Sequence, residues 1–593
     1  MKESIRKLLL LFNKREKRKL VILFLMMIIA AVLETAGIGL IVPLVGIITN
    51  PDVIQEQAIL SYVYNFFDFQ SPTIFMVFAV GTLLVIFLIK NVYLLLFYYA
   101  QYRVILNQQV KLSRRLFQEY LTKPYTFHLQ RNTADLLRNV NSEVPKVFQG
   151  IIISGFQLFT EILVIICISV LLVITAPLAT LTASILLGGS VLLFFKLFRK
   201  KISHLGKEQQ IVSGTLIKWV NQGLGASKEV KVSGKEKFFV DAYTKQSLIK
   251  AGNSRYLKML DQVPRLFIET LLVSVVLITM LVIIFQGTGA SQLISTMALF
   301  AMAAFRLMPS INRVVAMITA IRVSEPALAV VYEDIFDIKD LNQGKNSDSD
   351  LKLDHVHNGK RTFTDSISLK NVSFKYPGQT IYAVQDISLT IPIGQSAAFI
   401  GESGAGKTTI VDIILGLFKP ESGEILIDGR SLEEQKNVWQ RKIGYIPQSI
   451  FLSDDTIRGN VAFGVSEDRI DDEEVWRALD QAQLKEFVKS LPDQLETTVG
   501  ERGVRLSGGQ RQRIGIARAL YHNPEILFMD EATSALDSET EKEIMRAIDG
   551  LKGEKTLIII AHRLSTIENC DVVFRIHEGM LESMDRKQRQ SVI

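Results

Sequence analysis

Six apolar runs, near residues 20–48, 73–100, 148–174, 177–198, 264–286 and 292–320, constrain the first half of this 593-residue chain more than any other feature. A helix needs about 20 mostly apolar residues to cross a bilayer, and every run reaches that length. Hydrocarbon offers no water to backbone N–H and C=O groups, so such segments close their hydrogen bonds internally, as helices. The expectation is a six-helix, all-α transmembrane domain. Several runs exceed the minimum, which predicts tilted helices or helices that project beyond the bilayer. A hydrophobic share of 48% is high for a water-soluble chain and agrees with this reading.

The connections 49–72, 175–176 and 287–291 contain no Lys or Arg, whereas the N-terminus, 101–147 and 199–263 are rich in both. The positive-inside rule then places both termini on the cytoplasmic side. A net charge of +7 is accounted for by cytoplasmic loops beside anionic lipid, so no nucleic-acid partner is expected. Met1 to Lys19 is basic and amphipathic, and reads as a retained interfacial elbow helix. The segments 101–147 and 199–263 alternate polar and apolar residues at helical spacing and are expected to carry the spans onward as helices. Ile59, Tyr62, Val63, Phe66 and Phe67 predict a short amphipathic helix on the outer face, serving either a lipid or the packing of its own loop. Cys167 and Cys570 suggest neither a disulfide framework nor a zinc site.

So long a chain exceeds one hydrophobic core, and a polar stretch from Lys339 to Ser366 reads as a linker. The expected division is a transmembrane domain at 1–335, a linker at 336–365 and a second domain at 366–593, where strand-like and helix-like runs alternate as in an α/β fold. That second domain carries Gly401-Glu402-Ser403-Gly404-Ala405-Gly406-Lys407-Thr408, followed by Thr409, after the apolar run Ala397 to Ile400. The spacing is that of a P-loop: backbone amides converge on phosphate oxygens, Lys407 reaches the β and γ phosphates, and Thr408 ligates Mg2+. Ile526 to Glu531 is an apolar strand ending in two carboxylates; Asp530 suits Mg2+ and Glu531 suits polarising the attacking water. Between them stands Leu506-Ser507-Gly508-Gly509-Gln510.

This set, in this order, resembles the ABC transporter family, and the resemblance covers nearly the whole chain. It implies an exporter-type half-transporter with an α/β P-loop ATPase domain that binds ATP and Mg2+. Tyr376 would stack on adenine, Gln448 would sense Mg2+ and the γ phosphate, and His562 would contact the γ phosphate. Ser534 to Asp537 resembles the D-loop, and Thr498 to Gly503 the exporter loop that meets the membrane domain. Pro124 to Phe127 and the region near Trp219 to Val230 resemble the two coupling helices. ATP in this family lies between the P-loop of one ATPase domain and the Leu-Ser-Gly-Gly-Gln of another. One ATPase per chain therefore implies a dimer; a homodimer is the simpler reading, and a heterodimer satisfies the same pattern.

The residues that select a cargo belong to the membrane half. Ionisable groups in spans are costly and are either paired or functional. Lys90, Arg265, Arg306 and Arg313 stand at or near the spans, with Glu34, Glu161 and Glu269 as possible neutralising partners. Arg306 and Arg313 are seven apart on one helix face, with Pro309 between them expected to bend or loosen the helix. Arg265 and Glu269, four apart, have the spacing of an internal pair. Ala304 to Arg313, with Val263-Pro264-Arg265 and Leu33-Glu34-Thr35, resembles the bacterial flippases for lipid-linked oligosaccharides (PglK type). The resemblance implies that Arg265, Arg306 and Arg313, and more loosely Lys90, engage a polyprenyl-pyrophosphate saccharide moving from the cytoplasmic to the outer leaflet of a bacterial inner membrane. Export of another amphipathic lipid or a hydrophobic drug is the alternative. An ATP-gated regulator is a further one, which the presence of both Glu531 and His562 disfavours.

Overall fold

A computed structural model describes residues 2–40, 51–175, 177–285, 290–336, 362–530, 550–561 and 569–586, with isolated positions 44, 47, 48, 542, 545, 546, 548 and 567. The chain packs as two compact units, Met1–Lys123 with Arg131–Asp348, and Pro124–Gln130 with Ser349–Ile593.

The first unit is helical: α1 (Lys2–Leu10), α2 (Lys14–Gly39), α3 (Ala58–Phe66) and α4 (Pro72–Thr122) come first. After α5 (Tyr125–Gln130), which belongs to the second unit, follow α6 (Ser154–Thr175), α7 (Pro177–Gly225), α8 (Ser227–Val232), α9 (Glu236–Phe285) and α10 (Ala290–Phe336). Four stretches carry a window of membrane-crossing length and hydropathy among the described residues, within Lys14–Gly37, Pro72–Thr122, Thr133–Val170 and Leu307–Phe336. With 51 residues, α4 is about 75 Å long, more than twice the hydrocarbon thickness. It starts where its chemistry dictates: Ser71 accepts the amide of Ile74, and Pro72 occupies the first turn. The expected elbow is shorter than Met1–Lys19, because the helix breaks at Leu11–Asn13 and Lys14 to Lys19 open the first spanning helix. Buried Leu11 and Phe12 hold that break against the protein. Pro309 and Pro326 sit inside α10, which stays helical through both.

Beyond the membrane level the long helices are joined by polar contacts. Asp334, near the end of α10, accepts hydrogen bonds from Tyr120 Oη and from Asn139 Nδ2 (2.8 Å). Burial and the Asp334 carboxylate raise the Tyr120 pKa far above its ordinary value. Asn139 opens a π-helical turn, Asn139–Glu143, and a second spans Val147–Ile153. Glu143, fully buried between them, accepts from Lys146 Nζ at 2.7 Å and Gln210 Nε2 at 2.9 Å. Lys146 stands three residues from Glu143, a local pair, whereas Gln210 and Glu143, Tyr120 and Asp334, and Asn139 and Asp334 are far apart in sequence, and pattern reading does not find them.

The second unit is built on a six-stranded sheet in the order β10-β9-β3-β8-β7-β6. Its strands are β3 (Ser396–Ile400), β6 (Ile443–Ile446), β7 (Ile526–Asp530), β8 (Thr556–Ile560), β9 (Val572–His577) and β10 (Met580–Arg586). All pairings are parallel except that of β10 with β9. Every residue of β7 and β8 is buried, as expected of a parallel sheet covered on both faces. Alternation sends Leu527, Met529, Leu557 and Ile559 into one core with Ile514 and Ala517 of α12 (Gly508–Leu520). Ile526, Phe528, Ile558 and Ile560 enter another with Ile410 and Ile413 of α11 (Lys407–Ile414). A smaller antiparallel sheet, β2-β1-β4-β5, comprises β1 (Ser366–Phe374), β2 (Val384–Pro392), β4 (Ser422–Ile427) and β5 (Arg430–Ser431), and shares the α11 core.

Candidate functional site

Strand register gathers the ATPase motifs on one edge. Phe399 of β3 pairs with Ile560 of β8, which pairs with Asp530 of β7; Met529 pairs with Ile446 of β6. Four neighbouring parallel strands thus release Gly401, Ala561, Asp530 and, two residues beyond β6, Gln448 at their carboxyl ends. Loops at that end of an open α/β sheet are where ligands bind. Glu531, Ser534 to Asp537 and His562 follow these strands in sequence and lie outside the described residues.

The loop from Gly401 to Gly406 requires its glycines. A Cβ on Gly401 (φ 146°) would stand 2.1 Å from the Ile576 carbonyl oxygen, and one on Gly406 (φ 99°) 2.6 Å from that of Ala383. Gly406 then caps α11, whose first residues are Lys407, Thr408 and Thr409. Lys407, 5% exposed, donates to the carbonyls of Gly401 (2.9 Å) and Glu402 (2.8 Å), which turns its ammonium back onto the start of the loop. The helix N-terminus and the lysine present positive charge to the same space, an arrangement suited to phosphate. Tyr376 is brought to this loop by its hydroxyl, 3.0 Å from Thr409 Oγ1, while its ring meets Phe374 and Phe418 edge-on. Tyr376 is thus partly buried against the α11 core beside the P-loop.

Asp530 is 7% exposed at the end of β7. Asp412, one turn along α11 from Thr408, is pushed up to about 6, first by burial and then by the charge of Asp530. Sequence reading missed Asp412, because an isolated Asp in a helix has no motif to mark it. Its pKa is 3.8 when unfolded, so the burial penalty is absent below that pH, grows as pH rises towards 6, and is complete above it. Asp412→Asn is expected to stabilise nucleotide-free protein in EDTA at pH 7.5 by about 1–2 kcal/mol after discounting for partial exposure, read as a raised melting temperature. The gain should vanish as pH falls from 6 to 4; a gain independent of pH would refute the assignment.

The Leu506 to Gln510 segment forms the start of α12. Ser507 Oγ accepts the Gln510 amide (3.2 Å) and Gln510 Oε1 accepts the Ser507 amide (2.8 Å), a reciprocal cap that leaves Ser507 exposed and Gly508 and Gly509 in the first turn. Further along α12, Arg518 donates to the carbonyls of Phe451 (2.7 Å) and Asn460 (2.8 Å), tying the helix to the loop that carries Gln448. The predicted exporter loop bends through Gly500, Gly503 and Arg502, the last at a φ of 54° that few non-glycine residues adopt. Within the same unit the ring of Tyr125 in α5 lies 5.8 Å from Phe418.

In the first unit, Arg313 and Glu161 form a two-pronged pair, Nε to Oε1 at 2.6 Å and Nη2 to Oε2 at 3.2 Å, joining α10 to α6. One turn away, Ala31, Val164 and Ile168 form an apolar layer with Leu307. Arg306 lies on helical backbone of α10, and its side chain is outside the described part. Arg265 and Glu269 are both exposed on α9, and among the described residues no ion pair joins them. Lys90 sits on α4 with its ammonium 4.3 Å from the centre of the Phe87 ring.

Residues 384–534 match the ABC transporter family and residues 20–308 its transmembrane region. An ATP-dependent lipid A-core flippase of Cupriavidus metallidurans is 32% identical over 79% of this chain and 77% of its own. That of Saccharophagus degradans is 34% identical over 80% and 78%, and that of Escherichia coli K12 28% identical over 79% and 78%. A solved bacterial Atm1-family ABC exporter with ATP bound shares the fold at a TM-score of 0.75 and 23% identity, over 97% of this chain and 96% of that one. With multi-pass membrane helices, a P-loop sheet and these relatives, the chain belongs to the ABC transporter family as an exporter-type half-transporter that couples ATP hydrolysis to transmembrane transport.

Proposed function

We propose that two copies of this chain flip a lipid-linked oligosaccharide, with a polyprenyl-pyrophosphate anchor, from the cytoplasmic to the outer leaflet of a bacterial inner membrane. The observation that carries this reading is the Arg313–Glu161 pair beside an apolar layer. Arg313 gives Nε and Nη2 to Glu161 but stays 40% exposed, so its remaining Nη1 edge, seven residues from Arg306 on the same helix, is what would meet a pyrophosphate. Arg265 and Lys90 add positive charge on neighbouring helices. The relatives named for flipping lipid A-core favour a second reading, in which the cargo is another glycosylated, anionic lipid.

ATP binds between the Gly401–Thr409 loop of one copy and Ser507–Gln510 of the other. Thr408, Gln448 and Asp530 would hold Mg2+; these are hard oxygen donors, and the buried Asp530 charge that raises Asp412 suits a small cation, which would supply neutralisation of charge on the β and γ phosphates. Lys407 neutralises more, Glu531 orients the attacking water, and His562 contacts the γ phosphate. Closure of the two ATPase domains reaches the spans through α5 and α8, the helices at the two predicted coupling positions.

Proteoliposomes holding purified protein separate the readings. ATP-dependent flipping of a tritiated polyprenyl-pyrophosphate oligosaccharide, absent in Glu531→Gln, is the expected result. Robust ATP hydrolysis with flipping of lipid A-core but not of that substrate would replace the first reading by the second.

A further inference from the structure

A cavity of about 360 Å3 opens between the elbow and the second spanning helix, lined among others by Leu11, Phe12, Glu16, Lys111, Arg114 and Arg115. Its depth follows from the helix that borders it. The apolar part of α2 begins at Leu20, so Glu16 lies four residues, about 6 Å, beyond the hydrocarbon. The headgroup layer on each side of a bilayer is itself about 5–7 Å thick, so the end of the cavity at Glu16 and the Lys111 ammonium, 3.9 Å from it, stands within that layer, and Arg114 and Arg115 border its outer side.

Its chemistry is that of an anion site with a greasy margin. Three cations face one carboxylate. Glu16 approaches Lys111 at 3.9 Å, and its other oxygen accepts the Asn13 amide at 2.9 Å. Among the described residues neither Arg114 nor Arg115 forms an ion pair; Arg115 lies over the Phe336 ring at 5.9 Å. The cavity therefore carries an excess of two positive charges. Leu11 and Phe12 are buried at its wall, with Phe12 edge-on to Phe148, while Leu9 and Leu10, the residues of α1 that precede them in sequence, are 45% and 47% exposed.

We propose that this cavity binds an anionic phospholipid, one per chain. Lys111, Arg114 and Arg115 hold the phosphodiester, and the acyl chains run along the exposed leucines of the elbow. Basic pockets beside spanning helices on the charged side of a membrane take such headgroups. The assignment does not depend on which lipid is transported, since none of these residues belongs to the ATPase motifs or to the intramembrane arginines.

The test is native mass spectrometry of the full-length protein released from micelles, titrated with phosphatidylglycerol or phosphatidylcholine of matched chains. Wild type is expected to retain one phosphatidylglycerol per chain at concentrations where phosphatidylcholine is lost. At roughly fivefold per cation, Lys111→Gln with Arg114→Gln and Arg115→Gln should weaken that retention at least about tenfold. Glu16→Gln, which removes the one carboxylate, should strengthen it severalfold and keeps the proposal testable if the triple variant does not fold. ATP hydrolysis in phosphatidylcholine should stay within about twofold in every variant, taking surface changes remote from the chemistry as near neutral. Equal retention of both lipids, an unaltered triple variant, or no gain in Glu16→Gln would overturn the proposal. So would displacement of phosphatidylglycerol by soluble glycerol phosphate at equal concentration, which would assign the cavity to a free phosphate.

Discussion

Glu531→Gln is expected to reduce ATP turnover by about a thousandfold while ATP binding persists, the range that removal of a positioned general base produces. The amide keeps the shape of the side chain and loses its capacity to take a proton from water. Asp530, Thr408 and the Gly401–Lys407 loop remain, so the partners proposed for Mg2+ and the phosphates are kept. Trapped ATP should then stabilise the closed dimer, seen as a shift in size-exclusion chromatography with ATP but not ADP. Hydrolysis within tenfold of wild type would remove Glu531 from the reaction and direct attention to His562.

Replacing Arg306 and Arg313 by alanine is expected to lower flipping about tenfold or more at near-normal basal ATP hydrolysis, as loss of charge-assisted hydrogen bonds to an anion should. The Arg313–Glu161 pair makes the interpretation sharper. Arg313→Ala alone leaves a carboxylate that is 11% exposed without its guanidinium, and should destabilise the protein by about 2 kcal/mol once the arginine's own 40% exposure is allowed for. Adding Glu161→Gln removes the orphaned charge and should restore the melting temperature. If Arg313 meets the substrate, flipping stays low in that double variant. Recovery of flipping along with stability would show that the arginine serves only to pair Glu161.

Much of the architecture was legible because its signals are local. Hydrocarbon forces an apolar run of 20 or more residues into a helix whatever its neighbours do. A P-loop is likewise written in consecutive residues, because the glycines, the lysine and the threonine must share one turn between a strand and a helix. Both expectations meet the structure at α2, α4 and α10 and at β3–α11. The elbow is shorter than its charge pattern suggests, because charge continues from Lys14 through Lys19 whereas the helix boundary is set by Leu11 and Phe12 turning inward.

The sequence by itself determined the order of spans, the two-unit composition and the residue types available to nucleotide and to cargo, since each rests on spacing along the chain. Tertiary structure alone decided which charges meet. Arg313 and Glu161 are 152 residues apart, and Asn139 and Asp334 are 195 apart. Asp412 acquires its raised pKa only when α11 packs beside the end of β7. Coulomb interactions and desolvation depend on distance in space and on exclusion of water, and neither is fixed until the helices and strands have packed.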